Sequence, residues 1–175
     1  GRYVADHIAG AKFVELAGSD GPLYWEHAEE ALEAVEEFLT GIAPPPPPTR
    51  TLATVLYTDI VDSTVMLERM GDSRWRGILD VHDAMAFDLC GANGGRYVKS
   101  TGDGVLATFD GPGRSIRFAQ TFRDQLRSLE LSIRTGIHTG EVEVRGDDIG
   151  GMAAHLAARI MGQASGGEIL VSRTV

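Results

Sequence analysis

A single cysteine cannot close an internal disulfide, so Cys90 excludes a disulfide-stapled secreted scaffold. Long apolar runs are missing too: none approaches the ~18 residues that a bilayer span requires. No charged-then-apolar leader follows Gly1-Arg2-Tyr3, so neither a secretory signal nor a membrane segment is expected, and the expected location is cytoplasmic. Basic residues are scarce, with 16 Lys and Arg against 25 Asp and Glu, a net charge of −9. Binding a phosphate backbone needs the opposite balance, which argues against a nucleic-acid partner. An initiator Met is absent as well, and a piece of a longer polypeptide is expected.

What is present is enough for a core. The chain has 175 residues, 43% of them hydrophobic, which excludes global disorder and sets an expectation of about one domain. Charge is unevenly spread: residues 1–43 hold nine acidic and two basic side chains, whereas 44–175 hold 16 and 14. Between them runs Pro44–Pro48, five residues without N–H donors that favour a stiff polyproline II spacer of roughly 16 Å. Three segments follow from this: residues 1–43, a Pro-rich linker over 44–50, and a main domain over 51–175.

Within the first segment, Lys12–Leu16 reads as a short strand, Ser19–Pro22 as a turn, and Glu26–Leu39 as a helix. Ala28, Ala31, Leu32, Val35, Phe38 and Leu39 recur on one helical face, and Gly41 suits a C-terminal cap. One strand and one helix cannot close a core, so this is expected to be the end of another domain. The stretch GAKFVELAGSDGPLYW with EEALEAVEEFLTG resembles the last strand and helix of an α/β-hydrolase. At the position of that family's catalytic His stands Gly21, and His27 lies six residues later. The resemblance therefore implies a domain without the family's base.

After the prolines, Thr51–Ile60 reads as a strand, followed by helices over Ser63–Met70 and Ser73–Leu89. Strands Gly95–Ser100 and Val105–Phe109 are joined by Thr101-Gly-Asp-Gly104, a strong hairpin signal. A helix over Gly113–Leu129 follows. Strands Leu131–His138 and Glu141–Arg145, turned at Thr139-Gly140, come next, then a helix from Ile149 to Met161 and a strand over Glu168–Ser172. This order predicts an α+β domain with a largely antiparallel sheet and flanking helices.

Two carboxylates stand at sheet ends that such a fold brings together, Asp59 and Asp103. An Asp ending an apolar strand is costly to bury without a neutralising partner, and a pair of them suits Mg²⁺ or Mn²⁺, which prefer oxygen ligands. Taken singly, Asp103 also fits ordinary Asp-Gly turn chemistry and Asp59 a helix cap. The helix placed from Asp148 carries Asp148, Met152, His155 and Arg159 as one stripe beside an apolar one, which by itself describes a solvated face. Lys99 alone reads as a solvated lysine.

YTDIVDST, KSTGD, RTGIHTGEV and GDDIGGMAAHLAARI together resemble the class III nucleotidyl cyclase catalytic domain over Thr51–Val175. That implies a ferredoxin-like, palm-type sheet and a homodimer with sites shared across the interface. It also implies two divalent metal ions held by Asp59, Asp103 and the Ile60 carbonyl, with the backbone of Asp62-Ser63-Thr64 cradling phosphate. Lys99 and Asp148 match the pair that reads adenine, and Arg159 the arginine that stabilises the transition state. His155 stands where the family usually has Asn. The implied substrate is ATP, cyclised to cyclic AMP with loss of pyrophosphate. The family domain continues past a strand like EILVSRTV to a phosphate-contacting lysine, and no lysine follows Lys99 here. Two alternatives stay open: a degenerate cyclase homology domain that senses nucleotide or dimerises, and a diguanylate-cyclase or polymerase palm. The second lacks its GG(D/E)EF hairpin.

Overall fold

The computed structural model describes residues 1–16, 28–42 and 49–175. The chain divides into two compact units, Gly1–Pro47 and Pro48–Val175. Pro44–Pro48, the turn at Ser19–Pro22, Gly21 and His27 lie outside the described residues.

Among the described residues the first unit has two helices, α1 (Arg2–Asp6) and α2 (Ala28–Thr40). Lys12–Leu16, expected as a strand, forms no strand pairing among the described residues and has no regular structure. A strand needs a neighbour for its backbone groups, and no described residue of this unit offers one. The strand half of the expected hydrolase remnant is therefore not formed. Residues 11–16 instead lie against α2, where Lys12 Nζ donates to Glu37 Oε1 at 2.7 Å.

The second unit runs β1 (Thr49–Ile60), α3 (Ser63–Met70), α4 (Asp72–Ala92), β2 (Gly95–Ser100), β3 (Val105–Phe109), α5 (Pro112–Leu126), β4 (Ile133–Arg145), β5 (Asp148–Gly150), α6 (Met152–Met161) and β6 (Ile169–Val171). Thr49 and Arg50, expected in the linker, already belong to β1. The sheet has the order β2-β3-β1-β4-β5, with β6 parallel to β4 and all other pairs antiparallel.

Alternation along β1 gives the sheet two distinct faces. Leu56 and Ile60 point to one face and join Ala107, Phe109 and Ile137 in a core closed by Trp75 and Ala86 of α4 and Phe118 and Phe122 of α5. Val55 and Tyr57 point to the other, where Leu106, Val142 and three alanines of α6 form a smaller cluster. Among the described residues of this unit α6 is the helix packed on this second face, which Asp59 shares.

Two expectations are corrected here. Thr139-Gly140 does not turn the chain: β4 is continuous and pairs with β1 from Thr49↔Val144 to Ile60↔Ile133. Its glycines serve the approach of α6, since a Cβ on Gly136 would lie 2.1 Å from Met161 N and 2.5 Å from the Ala157 carbonyl. Nor does a helix begin at Asp148. Arg145 pairs with Asp148 across the two-residue turn Gly146-Asp147, with φ +61° at Gly146, so Asp148 is on a strand and α6 starts only at Met152. Asp148 therefore does not share a helical stripe with His155 and Arg159.

Candidate active site

Asp59 and Asp103 reach one place because β1 and the β2–β3 turn are tied there by backbone. Ile60 N–H donates to the Asp103 carbonyl at 2.9 Å, and Val105 N–H donates to Thr58 Oγ1 at 3.0 Å. The fit leaves no room for a side chain at Gly104, where a Cβ would sit 2.0 Å from the Thr58 carbonyl. Ser63, first residue of α3, donates its hydroxyl to Asp103 Oδ2. Asp62 before it is in the left-handed region, φ 57°, a conformation that costs a non-glycine residue and that Asp tolerates better than most. Thr64 follows in α3, with no side-chain hydrogen bond among the described residues.

The carboxyl of Asp59 is pushed above the ordinary carboxylate range, chiefly by burial and further by the negative charge of Asp103; a hydrogen bond from Arg134 opposes this. Two like charges at close range favour a bound cation. The donor set is all oxygen, and among the described residues no N–H or O–H reaches Oδ1 of either carboxylate. These residues fit a hard divalent cation, and Ile60 follows Asp59 as the last residue of β1. Among the described residues there is no group of three or more His, Cys, Asp or Glu that could hold a metal ion.

Arg134 was not visible as a site residue in the sequence. It sits directly opposite Asp59 in the β1–β4 register, so both side chains share a face, and its Nε donates to Asp59 Oδ2 at 2.8 Å. Only the register identifies this pair, and register is a non-local property.

Lys99 and Asp148 meet although they lie on opposite edges of the sheet. Four strand intervals of a flat sheet would separate β2 from β5 by about 19 Å. The sheet curls instead, so that Lys99 Nζ donates to Asp148 Oδ2 and Arg96 Nη2 to the Gly146 carbonyl at 3.3 Å. The Lys99 hydrogen bond, then the Ile149 N–H, holds the Asp148 carboxyl below its usual range. Tyr57 lies within reach of both charges, its hydroxyl pushed up mainly by burial.

His155 and Arg159 project from α6 as exposed residues. Among the described residues neither side chain makes a hydrogen bond or ion pair, so neither is joined to Asp59 and Asp103 or to the Lys99–Asp148 pair. Among the described residues no helix is long and apolar enough to cross a membrane.

No protein-family model matches the chain. An uncharacterized protein of Mycobacterium tuberculosis, Rv2212, is 31% identical over 118 residues, 66% of this chain and 31% of that protein. A Streptomyces coelicolor protein named adenylate cyclase is 30% identical over 117 residues, again 66% of this chain and 31% of that protein. The chain thus spans about a third of the length of these curated relatives. Among solved structures, an adenylate/guanylate cyclase/hydrolase from Silicibacter pomeroyi superposes with a TM-score of 0.64 at 27% identity, covering 73% of this chain and 78% of that one.

Proposed function

We propose, from the premise that residues 49–175 are a class III adenylyl/guanylyl cyclase catalytic domain, that the chain converts ATP to cyclic AMP and pyrophosphate. The observation that carries the choice of ATP is the Lys99–Asp148 contact. Adenine presents an acceptor at N1 and a donor at N6, which an ammonium and a carboxylate side by side can satisfy. Guanine reverses both groups and would leave two polar atoms unpaired.

In the reaction the ribose 3′-oxygen attacks the α-phosphorus, the bond to the pyrophosphate oxygen breaks, and the 3′-hydroxyl proton is released. Asp59, Asp103 and the Ile60 carbonyl would hold the divalent ions, Mg²⁺ or Mn²⁺, which when bound acidify the 3′-hydroxyl and offset triphosphate charge. Backbone N–H groups of Ser63 and Thr64 at the start of α3 cradle phosphate oxygens. Arg159 donates to the charge that builds on the α-phosphate, where a preorganised donor is most effective. His155 orients the ribose by a single N–H donor.

Among the described residues the side chains of Arg159 and His155 have no hydrogen-bond or ion-pair partner, which supports a site completed by a second copy. In this reading the enzyme is a homodimer that works in the cytoplasm, where ATP is supplied. The test is cyclic nucleotide formation by the chain with Mn²⁺ and either ATP or GTP. ATP should be preferred by at least about tenfold in kcat/KM, since each unpaired group costs about 1–3 kcal/mol. Lys99→Met with Asp148→Asn should erase the preference, and equal use of both nucleotides by wild type would refute the reading of the base.

A further inference from the structure

Asp59 and Asp103 are each gripped at Oδ2, but by partners of different kind. Asp103 is held by the neutral hydroxyl of Ser63. Asp59 is held by the cationic guanidinium of Arg134, whose Nε and Nη2 both converge on the one oxygen instead of forking across two. Among the described residues Asp59 is the only ion-pair partner of Arg134.

A neutral donor orients a carboxylate without opposing a cation beside it. A guanidinium does oppose it, because a divalent ion on the same carboxylate would stand within a few ångströms of a full positive charge. Exposure points the same way. The Arg134 side chain is 37% exposed and that of Asp59 19%, so the guanidinium can swing out to water whereas the carboxylate stays.

We propose that Arg134 competes with the divalent cation for Asp59: it neutralises the carboxylate while no metal is bound, and metal entry displaces it. The inference rests on reading Asp59 and Asp103 as a metal pair. Ser63 takes the other role, that of a support which remains in place when metal binds.

The two roles differ in sign in one assay, binding of Mn²⁺ alone to the 175-residue chain, followed by electron paramagnetic resonance without nucleotide. Loss of an orienting partner weakens a metal site by about 10–100-fold, which is expected for Ser63→Ala; Arg134→Met should instead bind at least about tenfold more tightly than wild type. Unchanged or weaker binding by a folded Arg134→Met protein overturns the proposal.

A second measurement needs no variant to fold. In wild type, the Arg134 Nε–H resonance should be slow to exchange with water and should lose that protection as Mg²⁺ is added. A resonance that keeps it at saturating Mg²⁺ overturns the proposal. Asp59→Asn and Asp103→Asn proteins separate this failure from failure of the metal pair itself. If they bind Mn²⁺ as wild type does, the metal lies elsewhere and both readings fall; if they lose it, only the competition is at stake.

Discussion

Asp59 is pulled in opposite directions by its surroundings. Burial and Asp103 favour its protonated form, Arg134 its ionised form, and the first two prevail. A carboxyl raised in the folded state stabilises the fold fully below its unfolded pKa, and that contribution is lost as pH rises through the folded pKa. At neutral pH, Asp59 therefore works against folding. Asp59→Asn keeps an oxygen for Arg134 and removes the charge, so its melting temperature at pH 7 should equal or exceed that of wild type by roughly 2–4 °C. In acid, where wild type is protonated too, the two melts should converge. Cyclic AMP formation should nevertheless vanish in this variant. A lower melting temperature at pH 7 would mean that the ion pair with Arg134 outweighs desolvation. Asp148 has the opposite linkage: its lowered carboxyl contributes above the unfolded pKa, and the contribution is lost as pH falls through the folded pKa.

His155 poses a separate question at the same scale. It stands four residues before Arg159 on one exposed face of α6, so both side chains can approach the same substrate. If its N–H orients the ribose, His155→Ala should lose activity by about 10²-fold, while His155→Asn should retain most of it. Steady-state rates for the two variants decide this, and an Ala variant equal to wild type would remove His155 from the mechanism.

Packing of α6 against β4 sets where those side chains stand. The contact depends on Gly136, because the atoms nearest a substituted Cβ belong to the α6 backbone and cannot rotate away. Gly136→Ala should destabilise the domain by about 1–3 kcal/mol through overpacking, read as a lower urea midpoint at unchanged m. Activity should fall further than stability alone accounts for, since the helix that carries His155 and Arg159 is displaced. The same glycines explain why RTGIHTGEV misleads as a sequence: Thr-Gly reads as a turn by local chemistry, whereas the long register with β1 keeps the strand straight. The start of α6 is misjudged for a related reason. GDDIGG permits either a helix start or a hairpin, and pairing with β4 selects the hairpin.

At the scale of the second unit, the sheet face on which α6 packs carries Asp59, proposed as half of the metal pair, and the Lys99–Asp148 pair. If each site is shared between copies, Asp59→Ala and Arg159→Ala proteins should each be nearly inactive, and mixing them should restore up to about a quarter of wild-type activity through heterodimers with one intact site. No recovery despite demonstrated heterodimers would exclude sharing. The strand at Thr51–Ile60, the Asp-Gly hairpin and the amphipathic helices were legible because each depends on neighbours in sequence; Asp59 and Asp103 were candidates as a carboxylate pair, and Lys99 and Asp148 only through the resemblance. The tertiary structure alone decided that Arg134 grips Asp59, that Lys99 meets Asp148 across the curl, and that Asp148 leaves the helix. The first two depend on strand register and sheet curvature, set by contacts between residues 49 or more positions apart, and the third on the pairing of β5 with β4; none leaves a periodic mark on the chain.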